Sequence, residues 1–201
     1  MIFRLIFDTI LANLLNVDGQ VATWFHQHLT HAFAGVMMLM SDPGAAVCVG
    51  PVTAFTAGLL IWKRLWNGLL ALGLTVPGGM ILNEILKITI RRERPFHTSP
   101  YIDISGYSFP SGHTMAASLL YGLLAIFILS MLRGTFWRLI VISGTTFLIL
   151  VVSFSRIALG AHHVSDVFAA LLISSAWLFL SLQATGKVCR KTFSPDLLQS
   201  K

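Results

Sequence analysis

The sequence predicts an all-α, polytopic membrane helix bundle with five to six transmembrane helices and an interfacial N-terminal helix. Three observations carry that prediction. Of 201 residues, 55% are apolar and only 11% charged, against about 25% charged in an average soluble domain. Mean hydropathy is +0.77. Five stretches (44–62, 65–86, 114–132, 136–154 and 164–182) are long and apolar, and a bilayer crossing needs roughly 20 such residues. This composition excludes a disordered chain, a coiled coil and an ordinary soluble enzyme. At this length it predicts one domain, residues 1–201. Within it, 1–43 hold the N-terminal and interfacial helices, 44–183 the transmembrane core and 184–201 a cytoplasmic tail.

The elements follow in order. Residues 1–17 are apolar but carry Arg4 and Asp8, with no small-residue cleavage site behind them. That pattern reads as an amphipathic helix in the interface rather than a cleaved signal peptide. Residues 17–40 mix Trp24, Phe25 and three histidines with a short apolar run that stops at Ser41-Asp42-Pro43-Gly44. The run is too short to span alone, so interfacial or re-entrant helices are expected, with a sixth span as the alternative. Pro51 and Pro77 fall within spans, where neighbouring helices can re-satisfy the freed carbonyls. Glu84 can pair with Lys87 or Arg91, or reach the interface. Cys48 and Cys189 lack neighbours at metal-ligand spacing and read as two unpaired thiols.

Orientation comes from the basic turns. Lys63 and Arg64, then Arg133 and Arg138, then Lys187, Arg190 and Lys191 mark three cytoplasmic places. Alternation puts 87–112 and 155–163 together on the outer side. Those segments nevertheless hold Lys87, Arg91, Arg92, Arg94 and Arg156. Cations placed against the topological rule need a local reason, and a bound anion supplies one. The net charge of +6 is thereby divided between cytoplasmic anchors and an anionic ligand, not nucleic acid.

Three outer clusters carry chemistry. The first is Lys87-Ile-Thr-Ile-Arg91-Arg92-Glu93-Arg94-Pro95. If the helix continues beyond the membrane, Lys87, Arg91 and Arg94 share one face, and Pro95 ends it. A basic rim contacting lipid headgroups is the competing reading. The second is Phe109-Pro110-Ser111-Gly112-His113, just before a span. Ser111 is a good N-cap, Gly112 lets a ligand approach the backbone, and a helix N-terminus attracts phosphate. The third is Ser155-Arg156, Gly160, His162-His163 and Asp166. His162 and Asp166 are four apart, so on a helix the carboxylate can fix the imidazole tautomer and free the other nitrogen as nucleophile. An aspartate at the mouth of an apolar span reads as functional.

Taken together, Lys-x6-Arg-Pro, Pro-Ser-Gly-His and Ser-Arg-x5-His-x3-Asp resemble the type-2 phosphatidic acid phosphatase family, which also includes vanadium haloperoxidases. Every defining position is filled, over roughly 87–166. Two departures adjoin the nucleophile: His163 and Val164 stand where the family often has an aromatic residue and a proline. The resemblance implies that Lys87, Arg94 and Arg156, helped by Ser111 and the Gly112 amide, hold the phosphate oxygens. It implies that His162 attacks phosphorus, that Asp166 orients it, and that His113 protonates the leaving alkoxide and then activates water. It implies no metal and no cofactor. The expected partners are a lipid phosphate substrate and the bilayer, with no obligate protein partner. The expected activity is hydrolysis of undecaprenyl diphosphate, phosphatidylglycerophosphate or phosphatidic acid at the outer face of a bacterial inner membrane. Two rival functions are a lipid phosphotransferase using the same site and an anion channel or carrier. The channel predicts polar residues through the spans, whereas the cations here lie at the ends.

Overall fold

The computed structural model describes residues 2–96 and 105–192, and the side chains of 15–96 and 105–185. The described residues are helical, with no strand among them. The helices are α1 (Ile2–His28), α2 (His31–Ser41), α3 (Ala46–Trp62), α4 (Trp66–Ile90), α5 (Gly112–Met131), α6 (Thr135–Ala158) and α7 (Val164–Thr192), with a 3-10 turn at Asp42–Gly44 between α2 and α3. Five helical stretches among the described residues are long and apolar enough to cross a membrane, the first running from α2 through α3. The helices outrun the apolar windows because hydropathy sees only the membrane-facing part: α4 continues to Ile90 and α6 to Ala158.

Helix α5 is the centre of the bundle and packs against α4, α6 and α7. Its Met115, Leu119, Leu120 and Leu123 are fully buried and meet Leu72 and Val76 of α4 and Ala170 of α7. The kink-prone turn before Pro77 gains a donor from a neighbour, as Trp177 Nε1 bonds the Leu74 carbonyl at 3.0 Å. Helix α2 begins at Thr30, whose side chain accepts from the Phe33 amide at 3.3 Å, and the Asp42-Pro43-Gly44 turn ends it.

Residues 2–17 do not form a separate element; they belong to the longer α1. The second half of α1 lies across the end of the bundle. Asp18 meets the start of α7, His26 stacks on Phe96 with ring centroids 4.3 Å apart, and Phe25 meets Phe154 edge-on at 5.8 Å. Beside it α2 sets Ala34 and Met37 against Ala158 and Leu159. At the opposite end Lys63, Arg64, Arg133 and Arg138 are exposed. Trp62, Trp66 and Trp137 are exposed there too, an aromatic and basic girdle of the kind that marks a membrane interface. Cys48 is a free thiol. The side chains of Cys189, Lys187, Arg190 and Lys191, and residues 193–201 altogether, lie outside the described set.

Candidate active site

All three clusters meet at the end of the bundle that α1 and α2 cover. The first departs from the expected single helical face. Helix α4 stops at Ile90, and Arg91 takes a left-handed conformation (φ +51) with its amide bonded to the Lys87 carbonyl. An L-residue there carries a local cost of about 1–2 kcal/mol. The turn leaves Lys87 on α4 and swings Arg92 and Arg94 back over the bundle, while Arg91 stays exposed with Nε on the Ile88 carbonyl. Pro95 therefore follows the helix end and does not cause it. Of the alternatives for Glu84, pairing with Lys87 is the observed one, at 3.3 Å.

Arg94 ties the loops together. Its Nε, Nη1 and Nη2 donate to the carbonyls of Gly106, Ala161 and Ser105. Arg156, at the end of α6, is 6% exposed. Its Nη1 donates to Ser41 Oγ of α2 at 2.8 Å, and its Nε has no partner. No carboxylate lies within ion-pair distance of Arg156 among the described residues. The approach of α2 to this corner requires Gly44, because a Cβ there would stand 2.6 Å from the His113 carbonyl oxygen. Gly160, in the α6–α7 turn, has φ +67 and carries Phe96 against the face a side chain would fill.

Ser111 occupies the N-cap position of α5, but its side chain makes no capping bond; it accepts from Thr114 Oγ1 at 3.0 Å. The cap is thus backbone geometry alone. Gly112 opens α5, and a Cβ on it would lie 3.5 Å from both Lys87 Nζ and Asn83 Oδ1. The first amides of α5 therefore sit beside the Lys87 ammonium, a combination of helix dipole and cation suited to an anion. His113 follows, and with Lys87 and Gly112 it lines one end of a cavity of about 550 Å3. Apart from Thr53, the rest of that cavity is apolar, built from Ala46, Gly50 and Ala54 of α3 and Val76, Pro77 and Met80 of α4.

His162 is 3% exposed. Its Nδ1 stands 2.6 Å from the Ser108 carbonyl, which can only accept, so the proton lies on Nδ1 and the lone pair on Nε2. The Asp166 carboxylate is 3.9 Å away, beyond hydrogen-bond range. The expected direct His162–Asp166 bond is thus replaced by one to a backbone carbonyl. Asp166 instead accepts from Ser108 Oγ, from the His163 amide at 2.9 Å and from Arg92 Nη1 at 2.5 Å. Burial first, and then the Arg156 and Arg94 guanidiniums, hold His162 well below the usual histidine range, against the opposing pull of the Ser108 carbonyl. The charges acting on His113 are those two guanidiniums and Lys87, which also acts on His162. Those acting on His163 are Arg92, Asp166 and Asp18. The two adjacent histidines thus face different company.

The structure brings together Lys87, Arg94, Ser111, Gly112, His113, Arg156, His162 and Asp166. It adds three residues that sequence reasoning passed over. Ser41 and Ser108 have no local signature. Asp18 had one, a lone acid between apolar helical turns.

Comparison with known proteins places this geometry. The PAP2 superfamily model matches residues 68–189. Phosphatidylglycerophosphatase B of Bacillus subtilis is 33% identical over 149 residues, 72% of this chain and 71% of that protein. An undecaprenyl-diphosphatase of Sulfolobus acidocaldarius is 30% identical over 189 residues, 90% of this chain and 81% of that one. The crystal structure of the transmembrane PAP2-type phosphatidylglycerolphosphate phosphatase from Bacillus subtilis superposes with a TM-score of 0.77 at 28% identity, covering 87% of each chain. With its family pattern filled and most of its length matched, the chain belongs to the PAP2 superfamily.

Proposed function

We propose that this membrane phosphatase hydrolyses a lipid phosphate or diphosphate at the outer face of the bacterial inner membrane, through a phosphohistidine formed on His162. The observation that carries the reading is Arg156: a buried guanidinium with an orphaned Nε and, among the described residues, no carboxylate beside it. A buried cation without a counter-ion is costly, and a phosphate completes it. Lys87 and Arg94 act on the same two histidines as Arg156 does, so one anion can meet all three.

The steps follow from the residues. Lys87, Arg94, Arg156, Ser111 and the Gly112 amide hold the phosphoryl oxygens and stabilise the charge that grows on them. His162 Nε2, kept neutral by burial and the neighbouring cations and aimed by the Ser108 carbonyl, attacks phosphorus. The bond to the leaving oxygen breaks, and His113 delivers a proton to it. His113 then takes a proton from water, whose oxygen attacks the phosphohistidine, releasing inorganic phosphate and restoring His162. The lipid part occupies the apolar cavity between α3 and α4, which ends at His113, so the leaving oxygen and the proton donor are adjacent.

The two named relatives act on different lipids, and away from the Lys87–His113 end the cavity wall offers one polar side chain, Thr53, amid apolar ones: hydrocarbon pockets discriminate weakly. The headgroup and chain preference are therefore to be read by experiment. Purified protein is assayed for phosphate release from undecaprenyl diphosphate, phosphatidylglycerophosphate and phosphatidic acid. At least one is cleaved by the wild type and none by His162→Ala. Transfer of the phosphoryl group to a second lipid without free phosphate would select the phosphotransferase instead. Orientation has its own test. In a variant lacking the native thiols, a cysteine at Tyr107 reacts with an impermeant maleimide in intact cells, and one at Arg133 does not.

A further inference from the structure

Arg92 has no place among the three phosphate-facing cations, yet it is the most heavily bonded arginine outside them. Its guanidinium bridges two buried carboxylates. Nη2 is 2.8 Å from Asp18 Oδ2 and Nη1 is 2.5 Å from Asp166 Oδ1, with Nη1 also 2.6 Å from Ser165 Oγ. Asp18 comes from α1 and is 3% exposed. It accepts from the Ser165 amide at 2.9 Å and from Ser165 Oγ. It thus caps the start of α7 from another helix, where exposed amides and the dipole favour an anion. The other oxygen of Asp166 takes Ser108 Oγ and the His163 amide, and the carbonyl of that same Ser108 aims His162. From α1 to the nucleophile the bonded path is unbroken.

We infer that Arg92, with Asp18 as its counter-charge, is a positioning residue that acts through Asp166 and Ser108 to hold the His162 imidazole in line for attack. The inference rests on the reading of His162 as nucleophile given above. Its physics is that one planar cation separates two carboxylates that would otherwise face each other at the mouth of α7. An arginine fork can satisfy both at once, whereas a lysine ammonium reaches them only as a point charge. With the Arg92 side chain gone, Asp166 loses its cation and keeps only neutral donors; the Ser108 amide keeps its 2.8 Å bond to the residue-92 carbonyl, but the carboxylate that takes Ser108 Oγ is no longer pinned. Consistent with that bridging, hydrogen bonds from Ser165 and Arg92 outweigh burial, which acts the opposite way, and keep the Asp18 carboxyl below its usual range.

The test separates positioning from a tether that merely docks α1. In the full-length protein, kcat per vanadate-binding site, KM and vanadate Kd are measured for Arg92→Ala, Arg92→Lys, Asp18→Asn and the double variant, with His162→Ala as reference. Arg92→Ala is expected to lower kcat per site by about 10- to 100-fold, with KM and vanadate Kd within twofold because Lys87, Arg94 and Arg156 remain. Arg92→Lys recovers part of the loss. Asp18→Asn loses less than Arg92→Ala, and adding it to Arg92→Ala costs little more, as coupled residues require. A wild-type kcat per site in Arg92→Ala with only a lower melting temperature overturns the inference. So does a weakened vanadate Kd, which would make Arg92 a phosphate ligand. If Arg92→Ala does not fold, a wild-type kcat per site in Arg92→Lys is equally decisive against it. Activity surviving in His162→Ala would instead sink the phosphohistidine reading, and this inference with it.

Discussion

Arginines stand at both ends of the bundle, and they do opposite work. At the end away from the site, Arg133 and Arg138 are exposed, and Arg138 Nη1 closes the last turn of α5 on the Leu129 and Leu132 carbonyls. At the site end Arg156 is buried, Arg94 binds three loop carbonyls and Arg92 joins two acids. The first pair is what the positive-inside rule predicts of interfacial anchors. The second set does other work than anchoring: Arg156 is buried, and Arg92 and Arg94, though part-exposed, spend their donors on the protein itself. The difference also splits within the site. Among the described residues Arg156 lacks an anionic partner, whereas Arg92 has two; in the proposed reading one binds the ligand and the other builds the frame.

That contrast can be broken or sharpened by substitution. The largest effect is expected at the adjacent histidines: His162→Ala lowers phosphate release by at least about 10^4-fold, while His163→Ala keeps a substantial fraction. The charges acting on His162 are Arg156, Arg94 and Lys87, the proposed phosphate ligands, and those acting on His163 are Arg92, Asp166 and Asp18. The reverse result would place the nucleophile in the wrong register. Next comes His113→Ala, with a loss of about 10²–10⁴-fold on a lipid alkoxide and much less on a nitrophenyl ester, whose leaving group needs no proton. Equal losses on both substrates would remove the acid role.

Arg156→Gln is expected to cost about 10²–10³-fold in kcat, whereas Arg138→Gln, at the other end, leaves kcat and KM within twofold. Comparable losses at both ends would erase the comparison. The smallest effect is a displacement on the pH axis. Because the pKa of His162 is lowered, its neutral, attacking form persists as pH falls and is lost only below the usual value of about 6.5. The acid limb of kcat/KM in the free enzyme therefore lies below that pH; a limb at or above it would mean that His162 is not held neutral.

The spans and the motif residues were legible because both are local patterns: apolar length for the one, short spacings at helix starts and ends for the other. The frame was not. Ser41 meets Arg156 across 115 residues of chain, and Asp18 meets Ser165 across 147, and no periodicity reports such pairs. The His162–Asp166 spacing brought the two residues close, 3.9 Å apart, but predicted the wrong bond, since helix α7 begins only at Val164 and His162 lies in the turn before it. The break of α4 at Arg91 was hidden for a related reason. Arginine has no preference for the left-handed region, and what holds it there are the long-range bonds of Arg92 and Arg94.

The central claim is that Lys87, Arg94 and Arg156 hold a phosphoryl group which His162 receives. Rapid quench of the purified protein with phosphorus-labelled lipid substrate, under alkaline conditions that preserve phosphohistidine, followed by peptide sequencing, tests it directly. The account predicts transient label on His162, absent from His162→Ala and prolonged in His113→Ala. Label on His163 or His113, or full turnover with no protein-bound phosphate at any quench time, would contradict it.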